Sequence, residues 1–142
     1  MPNPTKKFLV ARIALFVAGF YTVLLAVSSL VKLGKISVGS FNPTDKLLHF
    51  VAYFGLLLLW KVYFILKSKP ESQYKSNLLK LAGLAILFGM LIEVLQGVLT
   101  SYRKPDWYDV LANSTGVLLA VIIFLVFEKS LKRLNSKINL IF

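Results

Sequence analysis

Three pairs of polar residues stand in or beside long apolar stretches, at spacings that could assemble a chemical site. The pairs are Asp45 with His49, Glu93 with Gln96, and Asp109 with Asn113. Side chains three or four residues apart share one face of an α-helix. Carboxylates and imidazole can exchange protons or bind polar groups, and amides add neutral donors and acceptors. If the helices lie side by side, the three pairs can face one pocket.

Glu93 is the strongest of these signals because it interrupts the apolar stretch from Leu78 to Thr100. A charged side chain at the centre of a bilayer costs about 2.5 kcal/mol or more, and less near the interface. One interpretation is a bond from Glu93 to Arg103 or His49 that only holds the helices together. The other is direct contact with a ligand. Both remain open from the sequence.

The loop between the last two apolar stretches carries Arg103 and Asp106. The planar guanidinium of Arg103 suits a carboxylate or a phosphate. Asp106, like Asp45, follows a proline at an expected helix start, so each can cap a helix, contact a ligand, or do both. We expect Gln96 and Asn113 mainly as hydrogen-bond partners between helices.

His49 is a single histidine among hard oxygen atoms. Such a histidine is more often a hydrogen-bond partner than a metal ligand, because a metal needs several suitable ligands. We therefore expect no metal and no other cofactor. Cysteine is absent from the sequence, which excludes disulfides, thiolate metal sites and a thiol nucleophile. A glycine-rich phosphate loop is also missing, and this disfavours ATP-driven chemistry.

The elements that must position these residues are four apolar windows, each near the roughly 20 residues that span a bilayer. They cover about 8–31, 47–66, 78–99 and 110–127. The composition is 57% hydrophobic and only 16% charged, which excludes an ordinary soluble domain. The windows predict an all-α integral membrane bundle of four transmembrane helices, forming a single domain over 1–142. We expect the first window to be retained rather than cleaved as a signal peptide.

The distribution of lysine and arginine predicts the orientation of the bundle. Eleven of these residues flank one side of the windows and five flank the other. The positive-inside rule therefore places both termini in the cytoplasm and the polar pairs at the outer face. A net charge of +11 with this pattern indicates membrane rather than nucleic acid as the partner. Lys61, near the inner end of the second helix, is expected to extend to the cytoplasmic head groups.

A short internal similarity connects the second and fourth helices. Asp45-Lys46-Leu47-Leu48-His49 aligns with Asp109-Val110-Leu111-Ala112-Asn113, with the acid, the leucine and the final polar residue in register. A duplicated helical hairpin would place two such pairs on helices that run in the same direction.

In order and spacing, these motifs resemble the VanZ-like membrane proteins. The resemblance rests on Asp45 to Phe50, Glu93 to Gln96, Arg103, Asp106 and Asp109 to Gly116, and it covers roughly 42–119. It implies a small multi-pass bacterial membrane protein, whose namesake is associated with teicoplanin resistance. It supplies no established reaction. The resemblance implies a site formed by the following residues: Asp45, His49, Glu93, Gln96, Arg103, Asp106, Asp109 and Asn113.

Three classes of function fit this site. The first is a binding or transport-like module that recognises the head group of an anionic envelope lipid or lipoglycopeptide at the outer face of the bacterial cytoplasmic membrane, with Arg103 for the anionic group. The second is an intramembrane enzyme that acts on an isoprenoid-linked substrate, with His49 and a carboxylate as acid and base. The third is a structural subunit of a larger envelope complex. We favour the first, with membrane lipid as the surrounding partner.

Overall fold

The computed structural model describes residues 4–31, 43–67, 73–99 and 105–141. Within these ranges the chain forms five helices and no β-strand. The helices are α1 (Pro4–Leu30), α2 (Pro43–Lys67), α3 (Tyr74–Leu99), α4 (Trp107–Val126) and α5 (Glu128–Ile141). The first four are long and apolar enough to cross a membrane. The predicted all-α bundle of four transmembrane helices is confirmed.

The observed helices begin three or four residues before the predicted windows and end within one residue of them. The difference has a simple cause. Hydropathy marks the part of a helix that lies in hydrocarbon, whereas polar residues of the first turn are equally helical. Pro43, for example, begins α2 four residues ahead of the window because proline is well suited to a first turn.

The sequence analysis did not predict α5. Its residues are too charged for a hydropathy window, although they have the amphipathic pattern of a surface helix. Phe127 separates α4 from α5 with non-helical backbone angles (φ −90°, ψ 7°). Leu131 packs on the core and Asn135 is buried, so one face of α5 lies against the bundle.

The centre of the bundle is formed by α2 and α4, the most extensively packed pair of helices. Helix α1 packs mainly on α2, and α3 packs mainly on α4. Gly116 allows the closest approach, because a Cβ atom there would lie 2.1 Å from the backbone oxygen of Phe50. The two helices that carry the similar motifs are therefore in direct contact.

At one end of the bundle, a buried lysine joins α2 to α3. The Lys61 ammonium donates to the backbone oxygen of Tyr74 at 2.8 Å and lies 3.6 Å from the centre of the Tyr74 ring. Only 2% of Lys61 is exposed. The prediction that Lys61 extends to the lipid head groups is wrong, because the first turn of α3 offers it a carbonyl and an aromatic face inside the protein.

Close by, Glu128 accepts a hydrogen bond from Lys132 at 2.7 Å and lies 3.7 Å from the ammonium of Lys75. We call Lys61, Tyr74, Lys75, Glu128 and Lys132 the Lys61 cluster. It connects the start of α3 with the start of α5.

Candidate functional site

At the opposite end of the bundle, Lys46 lies at the centre of a group of carboxylates. Its ammonium is 2.5 Å from Oδ2 of Asp106 and also donates to Oδ1 of Asp109. Oδ2 of Asp45 lies 3.9 Å away. Asp109 is buried, with 3% of its surface exposed, so Lys46 compensates a charge that water cannot reach. We call Lys46, Asp45, His49, Asp106 and Asp109 the Lys46 cluster.

His49 joins the two central helices next to this lysine. Its Nδ1 lies 3.1 Å from Oδ1 of Asn113, and its Nε2 lies 3.6 Å from Oδ2 of Asp109 and 4.0 Å from Oδ1 of Asp45. Because an amide oxygen only accepts, Nδ1 carries the proton of this bond. Nε2 is then directed at two carboxylates.

Asp106 both caps α4 and pairs with Lys46. Its Oδ1 accepts from the backbone N–H of Tyr108 at 2.8 Å, as expected for an N-cap residue. Burial alone would raise the pKa of Asp106, but the hydrogen bonds from Lys46 and Tyr108 outweigh it and hold the pKa below its usual value. Of the two roles left open by the sequence, capping is confirmed, and contact with a ligand stays a prediction.

Glu93 is buried inside the bundle, with 3% of its surface exposed, and does not face lipid. Its Oε2 accepts from the backbone N–H of Asp106 at 3.4 Å. This contact joins α3 to the start of α4. Glu93 therefore lies next to the Lys46 cluster and contacts it through the backbone of Asp106.

One turn before Glu93 in α3, Gly89 allows this helix to approach two buried polar side chains. A Cβ atom at Gly89 would lie 3.0 Å from Cε1 of Tyr53 and 3.1 Å from Nδ2 of Asn113. Tyr53 and Asn113 are each 1% exposed. Within the described part of the chain, neither the Tyr53 hydroxyl nor Nδ2 of Asn113 has a hydrogen-bond partner. Such groups are rare in protein interiors and require an explanation.

Gln96 contacts a different helix. Its Nε2 donates to the backbone oxygen of Ser29 in α1 at 2.8 Å. This contact agrees with the expected role of Gln96 as a hydrogen-bond partner between helices. It connects α1 to α3. Arg103, the remaining predicted site residue, lies outside the described residues.

The sequence analysis missed the central role of Lys46, which it counted only as a flanking cation. A signal was present. A lysine in the first turn of a helix meets the positive end of the helix dipole, so it needs nearby anions to be favourable there. Because those anions come from α4, only the packing of α2 against α4 identifies them.

Asp45, His49 and Asp109 also offer three ligand atoms within 4.8 Å of one another. Two carboxylates and an imidazole are suitable ligands for a divalent cation. The Lys46 ammonium already binds Asp109, so a metal would compete with it for this carboxylate. The expectation of no metal stays a prediction.

The comparisons with known proteins identify the family. No curated protein and no solved structure matches the chain. The family model described as VanZ/LLP1 matches residues 5–128, which includes α1 as well as the three helices that carry the motifs. The match confirms the resemblance and extends it beyond 42–119. The chain is therefore a multi-pass membrane protein that belongs to the VanZ/LLP1 family.

Proposed function

We propose that the protein binds the polar head group of an anionic envelope lipid or lipoglycopeptide, at the end of the bundle formed by the Lys46 cluster. The single observation that carries this proposal is the pair of buried polar groups at Gly89. The Tyr53 hydroxyl and Nδ2 of Asn113 have no hydrogen-bond partner among the described residues. A ligand group that meets both would remove the cost of their burial.

The surrounding charges favour a head group with several hydrogen-bond donors. Asp45, Asp109 and Glu93 are acceptors when ionised, and sugar hydroxyls or amines are donors that suit them. Three carboxylates lie within 4 Å of Lys46, and Glu93 adjoins the backbone of Asp106, so a purely anionic group would be repelled there. We assign the anionic part of the head group to Arg103, whose guanidinium suits a phosphate or carboxylate.

The proposed location is the bacterial cytoplasmic membrane, with both termini in the cytoplasm and the Lys46 cluster at the outer face. The excess of lysine and arginine at the other end supports this orientation. An outward-facing site could intercept a lipoglycopeptide antibiotic such as teicoplanin, or an envelope lipid on which its action depends. A contribution to glycopeptide resistance is therefore part of the proposal.

The test is a hydroxyl deletion that leaves the packing intact. Tyr53→Phe should fold like the wild type and weaken binding of a dodecyl glucosyl phosphate probe by about tenfold, because one hydrogen bond is worth about 1 to 1.5 kcal/mol. Binding is measured by titrating the probe into nanodiscs of phosphatidylethanolamine and phosphatidylglycerol. Tyr63→Phe, a buried tyrosine beside Trp60, is the matched control. Unchanged binding by Tyr53→Phe would refute the proposal.

A second set of variants separates binding from a merely structural role. Glu93→Gln, His49→Ala and Arg103→Lys are compared for folding in detergent and for teicoplanin susceptibility of cells that express them. Normal folding with a lost phenotype supports a site. If every variant fails to fold, these three side chains hold the bundle together, as expected for a structural subunit of a larger complex.

Intramembrane catalysis is the second candidate. The observation that favours it is the position of His49, whose Nε2 lies 3.6 Å from a buried carboxylate of Asp109 while Nδ1 is held by Asn113. A histidine oriented in this way can act as an acid or a base on an isoprenoid-linked substrate. An enzyme would release product from the probe with a pH dependence that is lost in His49→Ala, whereas a binding protein would only saturate.

A further inference from the structure

Helix α5 begins directly where the last membrane-spanning helix ends. The apolar span of α4 ends at Val126, Phe127 interrupts the helix, and α5 starts at Glu128. Three residues, or about 5 Å of helix rise, separate Val126 from Lys129. The first turn of α5 therefore lies at the membrane surface, at the end of the bundle opposite to the Lys46 cluster.

One face of α5 is held by the bundle. Leu131 packs on the core and Asn135 is buried. Glu128 accepts a hydrogen bond from Lys132 at 2.7 Å and lies 3.7 Å from the ammonium of Lys75, which joins the first turn of α5 to α3. Glu128 is the single acidic residue in the sequence of α5. The helix is therefore fixed in place, and its one carboxylate is already compensated by lysines.

The opposite face of α5 carries a row of exposed cations, at successive steps of four residues: Lys129, Arg133 and Lys137. Arg133 follows the core residue Leu131 by two positions, or about 200° around the helix, so the row points away from the bundle. Within the described part of the chain, none of the three forms a salt bridge. Like charges four residues apart destabilise a helix. Anions from outside the protein would remove this repulsion.

Exposed apolar side chains lie beside this row. Leu134 is 53% exposed and precedes Lys137 by three residues, so the two are neighbours on the helix surface. Phe127 and Val126, just before Lys129, are 54% and 71% exposed. Cations next to exposed apolar side chains match an amphiphile, whose anionic head group lies above its hydrocarbon. A nucleic acid or an acidic peptide would contact the cations but leave the apolar side chains in water.

We infer that the row of Lys129, Arg133 and Lys137 binds the phosphates of anionic phospholipids in the leaflet at this end of the bundle. In the proposed orientation this is the cytoplasmic leaflet. Groups of about four to eight lysines and arginines directly after a transmembrane helix are typical of binding to anionic lipid. With Lys132, α5 has four such residues. The inference goes beyond the proposed function and does not depend on the head-group site at the other end.

The experiment titrates the full chain in dodecyl maltoside with dioctanoyl phosphatidylglycerol, and native mass spectrometry counts the bound lipids. Dioctanoyl phosphatidylcholine has the same chains without net charge and serves as the control lipid. The α5 triple variant, Lys129→Gln with Arg133→Gln and Lys137→Gln, should bind phosphatidylglycerol at least about tenfold more weakly, because each cation near a lipid surface contributes. Its binding of phosphatidylcholine should not change. Arg133→Gln alone, expected to weaken binding by about fivefold, decides the question if the triple variant does not fold.

A second triple variant is the matched control for charge. Arg12→Gln, Lys67→Gln and Lys80→Gln remove the same charge from exposed positions on α1, α2 and α3, where the three cations form no common row. This variant should keep its affinity for phosphatidylglycerol within about twofold. Thermal unfolding followed by circular dichroism checks that both triple variants fold.

Equal losses of affinity in the two triple variants would overturn the inference, because any positive charge at this end would then attract the lipid. Equal affinity of the wild type for the two lipids would also overturn it. If the α5 triple variant keeps its affinity for phosphatidylglycerol but loses affinity for a hexaglutamate peptide, the row serves an acidic protein partner instead. The head-group proposal is judged separately by Tyr53→Phe, so each of the two can fail alone.

Discussion

Each end of the bundle encloses a lysine, partly buried Lys46 at one end and buried Lys61 at the other, yet the two lysines are in opposite electrostatic surroundings. Lys46 contacts Asp106 and Asp109, with Asp45 nearby. Lys61 instead bonds a backbone carbonyl and an aromatic ring. In the described part of the Lys61 cluster, Glu128 is the one carboxylate, and it pairs with Lys132 and Lys75.

This difference distinguishes the proposed site from the contact at the other end. A backbone carbonyl and a ring are enough to hold one buried ammonium between α2 and α3. The Lys46 cluster holds three carboxylates around one lysine, and burial of the Asp109 carboxylate has a desolvation cost. Excess charge of this kind is typical of functional positions in membrane helices. Four predictions test this comparison, in order of expected effect.

The largest effect is expected for Lys46→Met. This change leaves the buried Asp109 carboxylate without its ammonium, and breaking a buried ion pair in this way typically costs about 3 to 5 kcal/mol. The free energy of unfolding is measured by SDS titration in dodecyl maltoside micelles. Lys132→Met, which removes a partly exposed lysine at the other end, is the control. A loss no larger than that of Lys132→Met would remove the distinction between the two ends.

Gly116→Ala should destabilise the protein by about 1 to 3 kcal/mol, the usual cost of overpacking. The new methyl group would lie 2.1 Å from the Phe50 carbonyl oxygen, so α2 and α4 must separate and stretch the contacts between His49 and Asn113. The same SDS titration applies. Gly19→Ala is the control because nothing lies within 4 Å of its Cβ position. Equal stability of the two variants would contradict the close packing of α2 and α4.

Lys61→Met should change the free energy of unfolding by about 1 kcal/mol or less. The variant loses a hydrogen bond to the Tyr74 carbonyl, but it also removes the cost of burying an ammonium, and methionine keeps most of the packing. A loss as large as that of Lys46→Met would show that the Lys61 cluster is equally dependent on charge.

The smallest effect is a difference in acid sensitivity between the ends. The pKa of Asp106 is lowered in the folded protein, so its stabilising contribution is complete above the ordinary carboxyl pKa of about 4 and is lost as the pH falls through the lowered value. Asp106→Asn should therefore be less stable than the wild type at pH 7, with a smaller further loss between pH 5 and pH 3. Thermal unfolding followed by circular dichroism over this range measures the difference.

Glu128→Gln supplies the comparison for this titration. The hydrogen bond from Lys132 is the main cause that lowers the pKa of Glu128, so the direction is the same as for Asp106. Its partner Lys75 is 68% exposed, and water screens such a pair. We expect a weaker dependence on pH. A stronger dependence for Glu128 than for Asp106 would reverse the comparison.

Most of the fold could be predicted from the sequence because a bilayer imposes a length and a hydropathy on each helix. The four windows, and the end of each long helix within one residue, follow from that constraint. Helix α5 could not be predicted in this way, because an amphipathic helix is stabilised by the surface on which it packs rather than by its own hydropathy. Lys61 was misjudged for a related reason: its length allows both a lipid-facing and an inward position, and only the start of α3 selects between them.

The candidate site divides in the same way. The sequence by itself determined which residue types are too polar for their surroundings, and helical spacing determined which of them share a face, as with Asp45 and His49. Only the tertiary structure decided that α2 and α4 are in contact, that Lys46 bridges them, and that Gln96 contacts α1 instead. The physical reason is that spacing along one helix fixes direction within that helix, whereas partners on other helices depend on which faces pack together.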